Sequence, residues 1–427
     1  MNVKISPSVI EGMVDAPPSK SYTHRAIAIA SLAKHTTVLN PLVSDDTQRT
    51  MHACCAFGAD VDVDRVGDAI RIAGVHGEVA TPDDVVDVGN SGTTLRIMTA
   101  ISSLVDGAVV LNGDASIRRR PNDPLLLALN DLGAEAFSTR NNGMAPIVVR
   151  GKLRGGKTFI DGSVSSQFIT GLLIACCLAE NDTEIVVLGE LKSRPYVDIT
   201  LEMLELAGAY VAIDEGANLT FMVEGRKQFD VPVYQVPGDF SSASYLLAAG
   251  ALFGDVTVKN MYPTAQGDSV IIPILKEMGA DIQWDKKQGI VTVKQSELHG
   301  CTIDVGLTPD LVPTLAVLGV LADGVTVIEN AEHVRYKETD RLHAMATELG
   351  KMGANVREET DKLILKGSKL HGTDLCGWDD HRIVMALTLA GMAAGGTVID
   401  TAESVGISYP DFFEHIRKLG ANVETVH

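Results

Sequence analysis

The sequence predicts an α/β (α+β) chain built from six related units in two domains. Its 427 residues exceed a single core, at roughly 100 to 200 residues per domain. A Gly-Ala pair closes an apolar helical stretch six times, at Gly58, Gly133, Gly208, Gly279, Gly353 and Gly420, with intervals of 75, 75, 71, 74 and 67 residues. Interleaved with these are six Ala-rich stretches, each running into a short β-branched segment.

In the first series, helix-like text (LLLALNDLGA, TLEMLELAGA, PILKEMGA, MATELGKMGA) precedes the Gly-Ala, and residues alternating about a polar turn follow it, as in ADIQWDKKQGIVTVKQ. A helix ended by a C′ glycine and then a β-hairpin accounts for both halves of this pattern. The second series includes HRAIAIASLAKHTTVLN, FITGLLIACCLAENDTEIVVLG and LVPTLAVLGVLADGVTVIEN. Helices apolar on nearly every face belong inside, beneath sheet and outer helix. The last unit stops at ANVETVH without a return strand, while NVKISPSVI opens the chain as a strand without a partner, so the two ends are expected to pair. Residues 1–18 and 238–427 then form one discontinuous domain with the N-terminal strand and units four to six. Residues 19–237 form the other, with units one to three.

Composition narrows the function. Hydrophobic residues make up 45% and charged residues 21%, a globular balance. Subtracting 55 Asp+Glu from 36 Lys+Arg leaves −19, the opposite of a nucleic-acid footprint, so no nucleic-acid partner is expected. Any anionic ligand needs cations gathered locally against the overall field. The longest apolar run, Ile169 to Ala179, is too short for a membrane span and reads as a buried helix. No signal-like segment opens the chain, so the cytoplasm is expected. Six cysteines without ligand spacing read as reduced core residues.

Each predicted inner helix begins with a polar cluster. These are Ser19-Lys20-Ser21, Asn90-Ser91-Gly92-Thr93, Ser165-Ser166-Gln167, Asp239-Phe240-Ser241-Ser242, Thr308-Pro309-Asp310 and Asp379-Asp380-His381-Arg382. One such cluster is ordinary N-capping. Pseudo-equivalent helices aiming their N-termini in related directions make an anion site from free N–H groups and helix dipoles. Lys20, Arg25, Arg96, Arg382 and the triplet Arg118-Arg119-Arg120 lie in or just after these clusters or beside them, and Arg335, Lys337 and Arg341 share the segment RYKETDRL. The stretch GKLRGGKT from Gly151 to Thr158 fits the phosphate-loop pattern by letter, but it leads into FIDGSVSS, a strand and a turn rather than the helix a phosphate loop needs. His24, His333, His343 and His381 show no metal-ligand spacing.

The markers PPSKSYTHRA, DVGNSGTTLR, RRRP, DGSVSSQFITGLL, SRPYVDIT, GDFSSASYLLAAG, YKETDRL, DDHRIVMA and SYPDFF occur in this order along essentially the whole chain. With them the sequence resembles the 5-enolpyruvylshikimate-3-phosphate synthases, or 3-phosphoshikimate 1-carboxyvinyltransferases, of the enolpyruvyl transferase fold. The resemblance implies three βαβαββ units per domain about a pseudo-threefold axis, with the domains closing over a cleft. It implies transfer of the enolpyruvyl group of phosphoenolpyruvate to the 5-hydroxyl of shikimate 3-phosphate on the way to chorismate, by a monomer without cofactor or metal. Glyphosate is the family's familiar inhibitor.

Carried over by motif, the resemblance puts Lys20, Ser21, Arg25, Ser165, Ser166, Gln167, Ser193, Tyr196, Asp310, His333 and Lys337 on shikimate 3-phosphate. It puts Lys20, Asn90, Gly92, Arg120, Gln167, Arg341 and Arg382 on phosphoenolpyruvate, and makes Lys20, Asp310 and Glu338 catalytic. The sequence departs from the family pattern at Ile407, where many members carry a lysine near the phosphoenolpyruvate phosphate, and at His333, a frequent asparagine. Pro18 and Ser91 stand where glycine and alanine are common. Two rivals are weaker: the sister enzyme acting on UDP-N-acetylglucosamine typically uses a loop cysteine, and Gly113 to Gly162 has none. A partner-binding repeat scaffold leaves the gathered cations unexplained.

Overall fold

Inner and outer helices alternate along the chain. The computed structural model describes residues 1–426 apart from Arg65 and Gly67. Its helices are α1 (Lys20–Leu32), α2 (Asp45–Ala56), α3 (Gly92–Ile101), α4 (Asp123–Asp131), α5 (Ser166–Cys176), α6 (Arg194–Leu206), α7 (Phe240–Phe253), α8 (Ile271–Glu277), α9 (Val312–Leu321), α10 (Arg341–Lys351), α11 (His381–Ala394) and α12 (Phe412–Lys418). The odd-numbered helices are the Ala-rich series and are buried over almost their whole length; α9, VPTLAVLGVL, keeps only Leu321 partly exposed. The even-numbered ones bury one face, as α10 does with Leu342, Ala344, Met345, Glu348 and Leu349. Each fully buried Leu or Ile side chain contributes ~1.5–3 kcal/mol of transfer free energy.

Each outer helix ends at one of the six Gly-Ala glycines, all at φ between +86° and +109°. A Cβ there would meet its own backbone, so only glycine turns the chain into the following hairpin without strain.

The strands form six four-stranded sheets on one plan. In one of them Gly156–Asp161 runs parallel to Thr183–Leu188 across α5, and Thr183–Leu188 pairs antiparallel with Leu219–Val223, which has Val211–Glu215 outside it. Because Gly156–Asp161 is a strand, the phosphate-loop look-alike has no helix at its Lys-Thr. Two sheets take their parallel edge strand from far along the chain: Val233–Gln235 beside His35–Leu39, and Ile10–Asp15 beside Gly254–Lys259. In the last sheet Asn2–Ile5 lies between Thr397–Ile399 and Val423–Val426, so the two ends of the chain pair antiparallel.

The chain divides into two compact units, Pro18–Val236 and Met1–Pro17 together with Pro237–His427. Each contains three sheets and three inner helices. Of the cysteines, Cys54, Cys176 and Cys177 are buried thiols pushed up to about 12 by burial, whereas Cys55 is exposed rather than in the core. No helix among the described residues is long and apolar enough to cross a membrane.

Candidate active site

In the unit Pro18–Val236, contacts between side chains tie the N-terminal ends of α1, α3 and α5 together. Lys20, the first residue of α1, places its Nζ 2.9 Å from Oδ2 of Asp46 in the first turn of α2. Ser91, at the N-cap of α3, lies close to Asp46, with its hydroxyl 2.6 Å from Thr94 Oγ1 of its own helix. Burial opposes charge on Asp46, but Lys20, His24 and Ser91 hold its carboxyl well below the usual carboxylate range. Across the next gap, Gln167 of α5 donates from Nε2 to Thr93 Oγ1 of α3 at 3.0 Å.

Gly92 explains why α3 opens without a side chain. A Cβ built there would lie 2.6 Å from an Arg96 terminal nitrogen, 2.7 Å from one of Arg120 and 3.5 Å from Gln167 Oε1. The glycine therefore lets two guanidinium groups close onto a helix N-terminus. Of the Arg118-Arg119-Arg120 triplet only Arg120 turns inward, donating to Asn90 Oδ1 at 3.1 Å and Ser116 Oγ at 2.9 Å, while Arg118 and Arg119 stay exposed.

Arg25 is 2% exposed and bonds only neutral groups among the described residues. It donates to Thr200 Oγ1 at 2.8 Å, Thr170 Oγ1 at 3.1 Å and the carbonyls of Tyr196 at 2.7 Å and Ser21 at 2.9 Å. Burial without a carboxylate partner pushes its guanidinium down to about 10, still fully charged at neutral pH. A buried cation held by dipoles alone is better satisfied with an anion beside it. Ser165 caps α5 through the Gln167 N–H at 3.3 Å, with Ser166 following it, and Ser193 precedes α6 in the left-handed conformation at φ 56°. Tyr196 sits in the first turn of α6, reached by Arg25.

The other unit gathers charge differently. Arg341, at the start of α10 and 1% exposed, meets three carboxylates: Asp380 at 2.8 Å, Asp310 at 2.9 Å and Glu338 at 2.7 Å. Arg382 of α11 reaches the second oxygen of Asp310, also at 2.9 Å. Burial works against the charge on Arg341, but these carboxylates hold it firmly cationic. Burial likewise opposes charge on Asp310, yet Arg382, Lys337 and Arg341 keep its carboxyl far below its ordinary range. Lys337 is drawn below its usual range by burial together with Arg341 and Arg382, against Asp310 and Glu338. Burial raises Asp239, at the N-cap of α7, despite Arg382 nearby. His333 is buried in the short turn Glu332–Tyr336 just before Lys337, and Ile407 ends the turn Ala402–Ile407.

The structure therefore joins Lys20, Asn90, Gly92, Arg120 and Gln167 in one unit, with Arg25, Ser21 and Tyr196 as a second linked group. It joins Asp310, Lys337, Glu338, Arg341 and Arg382 in the other. Arg335 is not among them: it bonds Asp340 and Glu358, each at 2.7 Å, and the carbonyls of Glu359 and Thr360. Capping differs from the even pattern the six clusters suggest. Ser91, Ser165, Asp239 and Asp380 cap their helices, whereas Ser19 and Thr308 make no side-chain capping bond.

Three carboxylates outside the expected set also matter. Asp46 holds Lys20, and Asp380 holds Arg341 through two bonds. Glu348, wholly buried in α10, accepts from Cys376 N at 3.0 Å and Trp378 Nε1 at 2.9 Å. Those bonds pin Trp378 (φ 58°) and Asp379 (φ 51°), two successive left-handed residues that deliver Asp380 to Arg341. Only Asp380 left a sequence signal, as part of a polar helix start. Among the described residues no group of three or more His, Cys, Asp and Glu side chains is arranged to hold a metal ion.

A family model described as EPSP synthase (3-phosphoshikimate 1-carboxyvinyltransferase) matches residues 5–416. The 3-phosphoshikimate 1-carboxyvinyltransferase of Methanococcoides burtonii is 58% identical over 424 residues, covering 99% of both chains. That of Methanosarcina mazei is 57% identical over 100% of this chain and 99% of its own. A solved EPSP synthase from Acinetobacter baumannii matches at a TM-score of 0.84 and 28% identity, over the full length of both chains.

Proposed function

Since the chain belongs to the EPSP synthase (3-phosphoshikimate 1-carboxyvinyltransferase) family, it transfers the enolpyruvyl group of phosphoenolpyruvate to the 5-hydroxyl of shikimate 3-phosphate, and we propose that its two units divide the chemistry. Residues Pro18–Val236 supply cations for the phosphate groups of the ligands, Arg25 and Arg120 with neutral partners and Lys20 against Asp46. The other unit supplies carboxylates that move protons. The observation that carries this reading is the Asp310 carboxylate, bridging Arg341 and Arg382 at 2.9 Å each.

With both guanidinium groups on it, Asp310 is a poor base, because its charge is already stabilised. When the carboxylate and phosphate of phosphoenolpyruvate take over Arg341 and Arg382, Asp310 is released to accept the proton of the shikimate hydroxyl. That oxygen forms a bond to C2 of phosphoenolpyruvate while Glu338, freed from Arg341 by the same ligand and protonated from solvent, delivers its proton to the methylene carbon, giving the tetrahedral adduct. Elimination returns a proton from the new methyl group and breaks the C–O bond to phosphate, whose charge Lys20 and Arg120 balance as it leaves.

Ser165, Ser166, Ser193, Arg25, Ser21, Gln167 and Tyr196 hold shikimate 3-phosphate, with His333 and Lys337 at its hydroxyl groups. Asn90, Gly92 and Gln167 complete the phosphoenolpyruvate side. Glyphosate is read as a competitor for the same cations. The free cysteines support a reducing, cytoplasmic setting, and the enzyme is read as a monomer.

Phosphate release tests the reaction. Shikimate 3-phosphate with phosphoenolpyruvate is expected to support turnover, and UDP-N-acetylglucosamine is not; the reverse preference would sink the reading. Gly92→Ala tests the geometry. Its Cβ overlaps Arg96 and Arg120. Overpacking of ~1–3 kcal/mol corresponds to a KM for phosphoenolpyruvate raised ~5- to 150-fold. The affinity for shikimate 3-phosphate, measured by titration calorimetry, is expected to stay within about twofold.

A further inference from the structure

Lys20 does not stand alone at the start of α1, and what stands behind it is buried and continuous. Asp46 Oδ2 is approached by two groups of α1 at once, Lys20 Nζ at 2.9 Å and His24 Nε2 at 3.4 Å. Asp46 is 7% exposed and His24 is not exposed at all. On its far side the His24 ring meets Thr50 Oγ1 of α2 at 2.7 Å; Thr50 meets Thr94 Oγ1 of α3 at 2.7 Å, and Thr94 meets Ser91 Oγ at 2.6 Å. With Nε2–H on the carboxylate side, 3.4 Å from Asp46 Oδ2, Nδ1 accepts from the Thr50 hydroxyl and the imidazole stays neutral.

Resting on the reading of Lys20 as a catalytic cation, we infer that Asp46 is its positioning residue, fixing both the place and the charge of the ammonium, and that His24 holds Asp46 in that role. Three charges decide the balance at this point. Lys20 and Arg25 on α1 both disfavour a second positive charge on His24; Asp46 on α2 favours one; Thr50, Thr94 and Ser91 bring none. Burial tips the balance, drawing His24 below its ordinary value. A neutral ring leaves the whole charge of Asp46 to Lys20. A carboxylate behind the ammonium also fixes the direction in which Nζ presents its remaining two N–H bonds.

The test is a set of four variants, Asp46→Asn, Asp46→Glu, Lys20→Met and the double variant Lys20→Met with Asp46→Asn, each assayed for the pH dependence of kcat/KM. Removing the charge of Asp46 withdraws the attraction that favours the ammonium, so the alkaline limb of the Asp46→Asn profile is expected about one pH unit lower. The KM for phosphoenolpyruvate is expected to rise about tenfold and that for shikimate 3-phosphate less than threefold. Asp46→Glu keeps the charge and is expected to restore the limb. In the Lys20→Met background, Asp46→Asn is expected to change kcat/KM less than about twofold, because it has no ammonium left to act through. Shikimate 3-phosphate binding by calorimetry verifies that each variant is folded. An unmoved alkaline limb in folded Asp46→Asn, or losses that multiply in the double variant, would overturn the inference while leaving Lys20 in the mechanism. Full turnover by Lys20→Met would remove Lys20 from the mechanism and the inference with it.

Discussion

Asp310→Asn is expected to lower kcat by between about a hundredfold and ten-thousandfold while binding of shikimate 3-phosphate remains measurable within about tenfold of the native value. The substitution keeps size and one carbonyl oxygen, so it removes charge and basicity more than shape. It also turns an amide toward one of the two guanidinium groups that the carboxylate now bridges. Without that internal anion, Arg341 still has Asp380 and Glu338, so the pocket around α10 is expected to persist. Phosphoenolpyruvate then meets less competition for Arg382. Its affinity for the enzyme already holding shikimate 3-phosphate is therefore expected to hold steady or tighten as turnover collapses. This combination separates a base from a binding group: loss of a binding group weakens the ligand along with the rate. Near-normal turnover, or loss of rate matched by loss of phosphoenolpyruvate affinity, would take Asp310 out of the base role.

The fold was open to inspection in the sequence because its signals are local and repeated. A left-handed glycine after each outer helix, an alternating hairpin and an all-apolar inner helix each reflect a backbone constraint within about twenty residues, and six copies make the period visible. The inner-helix starts were legible for the same reason. Partnership was not. Lys20 and Asp46 are 26 positions apart, and Arg341 and Asp380 are 39 apart, so nothing in either neighbourhood records the pairing. Asp45-Asp46 reads as a charged first turn of a surface helix, yet one of the pair faces inward and is 7% exposed. The same limit applies to Arg335, which shares a segment with Arg341 but is spent on Asp340 and Glu358. Residue type and spacing locate candidate cations; only the packing of helices decides which carboxylate each one meets.

Arg341→Met is expected to cost ~3–5 kcal/mol of stability, the range for leaving buried charges without their partner. The side chains are of similar length, so the substitution leaves little void; the effect comes from charge. Arg341 is 1% exposed and all three of its nitrogens are engaged by carboxylates. Its removal crowds Asp310, Glu338 and Asp380 together with Arg382 and Lys337 as the remaining cations. For a unit of about 200 residues such a loss lowers Tm by ~6–20 °C at neutral pH. The pH dependence has a definite sign. In the native protein the folded carboxyl of Asp310 lies below its unfolded value of ~3.9, so its stabilising contribution is complete above that value and fades as the pH falls further. In the variant the crowded carboxylates gain by binding protons, so acidification relieves their repulsion. The stability difference between native and variant, followed by denaturant unfolding from pH 8 down to about pH 4, is therefore expected to shrink steadily. A difference below about 1 kcal/mol at neutral pH, or one that stays constant across that range, would mean that these carboxylates do not depend on Arg341 for their charge.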